Sequence, residues 1–194
     1  MVIESLAQEV SSPPEKTWNF SIEANNYFFS GEYILLPVFR VDKDKLHLEA
    51  RYNYEDLETF SGWVGYTFSG GNTVTYTLTP MLGGVVGNSN GMAISMLATV
   101  NFKAFEFYTE MENLVDFNTK DNNFYYAWTD FSYSPTDWLW LGLSGQRTRL
   151  YQTDLEIQKG FFVGAGWKSW ELTTYVYNVV FDDPFLLVTV GLEF

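Results

Sequence analysis

Carboxylates recur at alternate positions in this chain. Glu106, Tyr108, Glu110 and Glu112 take every second place in one segment, and His47, Glu49 and Arg51 do so in another. A spacing of two puts side chains on one face of an extended strand. Grouped carboxylates of this kind serve acid–base chemistry, cation binding, or the ion-paired filling of an interior. Nucleophilic chemistry would need a Ser with a His in reach. The single histidine, His47, has no Ser two places away, and Gly142-Leu143-Ser144-Gly145 lacks the G-x-S-x-G spacing of a nucleophile elbow. With no Cys, thiolate chemistry is absent. Asp116, Asn118, Asp121 and Asn122, and the pair Asp182-Asp183, offer oxygen ligands. Lys120, however, stands where an EF-hand loop needs a ligand, and no Gly follows it. The residues therefore point to no catalytic group, no metal and no cofactor, and leave the carboxylates as a lining.

Composition narrows what such a lining could meet. The 194 residues suit one domain and carry a formal net charge of −13. Phosphate backbones must be met by Lys and Arg, so nucleic acid is excluded as a partner. Aromatic residues make up 19% of the chain, and Tyr and Trp suit the boundary between hydrocarbon and water. No run of about 18 apolar residues is present, which excludes a transmembrane helix but not a barrel, where only alternate residues face lipid.

The elements that must position these residues are strands. Leu46, Leu48, Ala50 and Tyr52 alternate with His47, Glu49, Arg51 and Asn53; Val74, Tyr76, Leu78 and Pro80 alternate with four threonines. Tyr33 to Val41 is apolar on both faces, with Pro37 at a bulge or a tolerated ladder position. About twelve strands follow one another. Tight turns are expected at Asp42–Lys45, Ser69–Asn72, Phe102–Lys103, Ser134–Asp137 and Lys168–Ser169, and longer connections at Gly83–Gly91, Leu114–Asn122, Arg149–Asp154 and Val179–Pro184. Residues 1–16 read as a disordered lead-in, in which Ser5-Leu6-Ala7 has the small residues that precede a signal-peptidase cut. Residues 17–194 read as the strand domain.

The last ten residues are the most specific segment. Leu186, Val188, Val190, Leu192 and Phe194 share one face, with Thr189, Gly191 and Glu193 between them. This ending, with Val190, Leu192 and the terminal Phe194, resembles the C-terminal signal of bacterial outer-membrane β-barrel proteins, which their insertion machinery reads. The resemblance implies an all-β fold: a closed antiparallel up-and-down transmembrane β-barrel of about twelve strands in the bacterial outer membrane, with both termini periplasmic. It also implies outer-membrane lipid and lipopolysaccharide as surroundings, with Arg147 and Arg149 placed to meet lipid phosphates. Phe194 is expected beside Trp18 in an aromatic girdle that includes Phe68, Trp138, Trp167 and Trp170.

With apolar faces turned outward, the lumen would be lined by Glu23, Glu49, Arg51, Glu106, Glu110, Glu112, Asp130, Glu156, Lys168 and Glu171, together with Arg40 and Glu193. The excess of carboxylates favours cations. Porins for sugar acids, as a family, have strongly basic lumens, and this chain departs from them in sign. The reading is a narrow passive pore for small neutral or cationic solutes. The alternatives are a closed, non-conducting barrel with a structural or surface-binding role and, third, a lipid-modifying enzyme built on His47.

Overall fold

The period-two pattern becomes one closed antiparallel sheet. The computed structural model describes residues 17–147, 157–180 and 183–194; the lead-in expected over residues 1–16 lies outside them. The strands are β1 (Asn19–Phe29), β2 (Glu32–Lys43), β3 (Leu46–Tyr52), β4 (Phe60–Tyr66), β5 (Phe68–Gly71), β6 (Val74–Val86) and β7 (Gly91–Phe102). They continue with β8 (Phe105–Asp116), β9 (Phe124–Thr136), β10 (Leu139–Arg147), β11 (Ile157–Trp167), β12 (Trp170–Tyr177) and β13 (Phe185–Glu193).

β4 and β5 are one stave. Both pair with β6, and Gly65↔Met81 and Phe68↔Leu78 lie three residues apart on each side, so no residue is inserted between them. The interruption lies across from Pro80 of β6, which has no N–H to give to the ladder; the Thr67 and Thr79 hydroxyls meet there instead at 3.0 Å. Pro37 faces outward, paired with Ala24 in a continuous β1–β2 register and just beyond the β2–β3 ladder, which begins at Val38↔Arg51. Twelve staves result. β1 pairs with β13 from Ser21↔Glu193 to Phe28↔Leu186, so the sheet closes and leaves no edge.

Closure is completed at Phe194, whose N–H bonds the Phe20 carbonyl at 3.0 Å while the Phe20 N–H bonds its carbonyl at 3.2 Å. The terminal ring stacks on Phe20, with centroids 5.9 Å apart. Phe20 lies outward on the closing pair, whereas Trp18 precedes the strand and carries the Lys43 ammonium over its ring.

The connections alternate. Residues 44–45, 72–73, 103–104, 137–138 and 168–169 form two-residue turns at one rim. Residues 53–59, 87–90 and 117–123 form longer connections at the other, where residues 30–31 are the one tight turn among the described connections. Strands run further into this second rim than the Gly- and Asn-rich composition suggests: β6 reaches Val86 and β8 reaches Asp116. Gly83 is needed there because a Cβ would stand 2.4 Å from the Trp63 ring.

Large apolar side chains such as Ile22, Phe39, Leu82, Ile94, Leu143 and Phe161 lie exposed on the outer face, as a lipid-facing surface requires. The interior holds two apolar clusters at the long-connection end. One gathers Tyr27, Ile34, Leu36, Phe162, Tyr175, Tyr177, Phe185 and Leu187; the other gathers Trp63, Met81, Val85, Ala93, Leu114 and Tyr126.

Candidate functional site

The inner face of β3 starts the polar interior. Alternation turns His47, Glu49 and Arg51 inward, each buried. β1 and β2 bring Glu23 and Arg40 beside them. Arg40 donates from Nη1 to Glu23 at 3.1 Å and from Nε to Glu49 at 3.0 Å. Glu49 also accepts from Arg51 Nε at 2.6 Å and lies 2.9 Å from His47 Nε2, while His47 Nδ1 lies 2.7 Å from Asp42. Across the barrel on β8, Glu110 and Glu112 meet Arg51 Nη1 at 2.9 and 3.3 Å. The Arg51 guanidinium is held between the rings of Tyr54 and Trp63, at 4.4 and 4.8 Å from their centroids.

Tyr54 belongs to the connection after β3, yet it folds into the barrel. Its hydroxyl donates to Glu110 at 2.9 Å and lies 3.2 Å from the Tyr126 hydroxyl. Glu55 follows it inward and accepts from the Ser61 hydroxyl. Burial pushes the Glu55 carboxyl above the ordinary carboxylate range, against the opposing pull of Arg51 and Ser61. Nothing in the sequence marks Tyr54 and Glu55 as interior, because they sit in a polar connection beyond the last alternating residue.

A second polar group lies on β9, β10 and β12. Asp130 accepts from Ser144 Oγ, from Trp128 Nε1 at 2.7 Å and from the Tyr175 hydroxyl at 3.1 Å. Ser144 also meets the Tyr177 hydroxyl at 2.6 Å. Ser144 and His47 are thus engaged by separate sets of partners, and no Ser–His pair is assembled among the described residues.

Towards the tight-turn rim the interior opens into a cavity of about 560 Å³. Glu23, Arg40, Glu106, Tyr108, Glu110, Trp128, Asp130, Trp140 and Glu171 line it, with Lys103 and Asp137 at the mouth. Among the described residues Glu106 and Glu171 form no ion pair, so carboxylates outnumber cations on this wall.

One of the residues expected in the lumen does not join it. Lys168 is the first residue of the β11–β12 turn and is exposed, with its ammonium 4.7 Å over the outward Trp167 ring. The alternation of β11 stops at Trp167 and does not carry into the turn. Glu156 lies outside the described residues, as does Arg149. Arg147 faces outward at the long-connection rim and donates to the Tyr125 carbonyl at 3.2 Å. Asp116 organises its own connection: its carboxylate accepts the N–H groups of Asn90, Asn118 and Thr119. No cluster of metal-ligating side chains occurs among the described residues.

These features define a closed antiparallel barrel with an apolar outer face, an acidic cavity and two interior apolar clusters, an architecture that small outer-membrane porins share. No family model matches the chain, and no curated protein matches it. Two solved structures of the KdgM porin resemble it in fold. One is described as being in complex with disordered oligogalacturonate; it has a TM-score of 0.65 and 12% identity, and the alignment covers 90% of this chain and 99% of that one. The other has a TM-score of 0.64 and 14% identity with the same coverage.

Proposed function

We propose that this protein is a narrow passive pore of a bacterial outer membrane, admitting small neutral or cationic solutes, with both termini on the periplasmic side. The observation that carries this reading is the cavity, enclosed by a barrel of porin fold and walled by carboxylates that Arg40 and Lys103 only partly balance. A negative wall in a narrow, low-dielectric passage concentrates cations and repels anions. The KdgM porin is described with an acidic oligosaccharide bound, and a polyanion would be repelled by the wall seen here. No enzymatic role is assigned. Phe194 and the apolar face of β13 would present the signal to the insertion machinery, and Arg147 would meet lipopolysaccharide phosphates at the outer rim.

The test is planar-bilayer recording on refolded protein whose folding is shown by a heat-modifiable gel shift. Discrete conductance with a reversal potential that favours cations across a salt gradient is expected. The contacts that cross the long-connection half, such as Tyr27 to Gln146 and Arg51 to Glu112, favour a second reading, a closed barrel with a structural or surface-binding role. Absence of current above background would select it.

A further inference from the structure

The two interior apolar clusters do not fuse into one core. The first is built on β1, β2, β11, β12 and β13, the second on β4, β6, β7, β8 and β9. Tyr54 and Trp128 pack against both. Arg51, Glu110 and Glu112 form a polar seam beside that bridging Tyr54 and against Trp63 of the second cluster. Glu110 lines the cavity, and Glu112 is the next inward residue of β8 towards the long-connection rim. Glu55 stands within electrostatic reach of Arg51 on that side.

This polar seam is not satisfied as a dry interior would be. Glu112 is 1% exposed and Glu55 3%, yet Glu112 Oε1 and Glu55 Oε2 have no hydrogen-bond partner among protein groups. Bare carboxylate oxygens in a closed interior are costly and call for water or a cation. Among the described residues Arg51 is the one guanidinium that contacts Glu112, and Glu49 and Glu110 already share it. Tyr54 stands where the seam meets the cavity, joined to Glu110 and Tyr126. It is carried by a connection and not by a strand, so its displacement breaks no ladder pairing.

Building on the pore reading, we propose that this seam is the conducting path, that Glu110 and Glu112 set its preference for small cations, and that Tyr54 is the stopper at its cavity end. Bilayer recordings under a KCl gradient test this, using the wild type, Tyr54→Ala, Tyr54→Phe, and Glu110→Gln and Glu112→Gln each placed in the Tyr54→Ala background. All are first checked for the heat-modifiable band. Tyr54→Ala should raise unit conductance several-fold, and Tyr54→Phe, which keeps the ring, should raise it less. Each Glu→Gln change should move the reversal potential towards zero. If Tyr54→Ala conducts as the wild type does, or if cation preference survives both Glu→Gln changes, the path lies elsewhere and the inference fails while the pore reading stands. If neither the wild type nor folded Tyr54→Ala passes current, the pore reading itself falls.

Discussion

Replacing Arg51 with Met should cost more stability than any other single change in the polar interior. Arg51 is 2% exposed, and its guanidinium serves three carboxylates on two sides of the barrel, Glu49 at 2.6 Å, Glu110 at 2.9 Å and Glu112 at 3.3 Å. These partners would not suffer equally. Glu49 keeps Arg40 and His47, and Glu110 keeps the hydroxyls of Tyr54 and Tyr108. Glu112 loses its only cationic contact among the described residues. Removing one partner of a buried ion pair costs about 3–5 kcal/mol, because the remaining charge stays desolvated. Set against a total stability of about 5–15 kcal/mol, that is a large share. Most of the loss should reside at Glu112, so adding Glu112→Gln to Arg51→Met should restore part of it, with a coupling of about 1–3 kcal/mol in the double-mutant cycle. Urea titration of the refolded protein in lipid, followed by tryptophan fluorescence and the gel shift, measures all four corners. A loss below about 1 kcal/mol for Arg51→Met, when 3–5 is expected, or no recovery on adding Glu112→Gln, would refute the reasoning.

Three further outcomes are expected. Gly83→Ala would drive a Cβ to 2.4 Å from the Trp63 ring; overpacking of about 1–3 kcal/mol should lower the urea midpoint, whereas Gly62→Ala, with open space around its Cβ, should leave it nearly unchanged. Glu55, whose pKa burial raises in the folded state, adds most to stability below the ordinary carboxylate pKa and loses that contribution as pH rises through the folded value. Glu55→Gln should therefore flatten the fall of the urea midpoint with rising pH, and an unchanged slope would contradict this. Phe194→Ala removes the stack on Phe20, about 0.5–1.5 kcal/mol, and should slow formation of the heat-modifiable band in vivo more than in detergent if the terminal ring is also read during insertion.

Much of this molecule is written in its local pattern. Alternation along Leu46–Tyr52 and Phe105–Asp116 assigns each side chain to a face from its immediate neighbours, and turn-forming residues locate the five two-residue turns of one rim to within a few positions. These signals also put Glu23, Glu49, Arg51, Glu106, Glu110, Glu112, Asp130 and Glu171 on the inner face. What the inner face does was not legible there. The inward Ile34, Leu36 and Val38 show in the sequence only as a strand apolar on both sides, and Phe185 and Leu187 lie among residues whose outward partners are equally apolar. Whether such residues line a channel or close it depends on what faces them across the barrel, and that is fixed by stave number, stagger and closure. The same holds for Arg51, whose partners Glu110 and Glu112 lie 59 and 61 residues away, and for Tyr54, which leaves its strand and turns inward. Period two is a property of one strand and its own backbone. The meeting of charges across a lumen belongs to the closed sheet, because only closure sets which strands stand opposite one another.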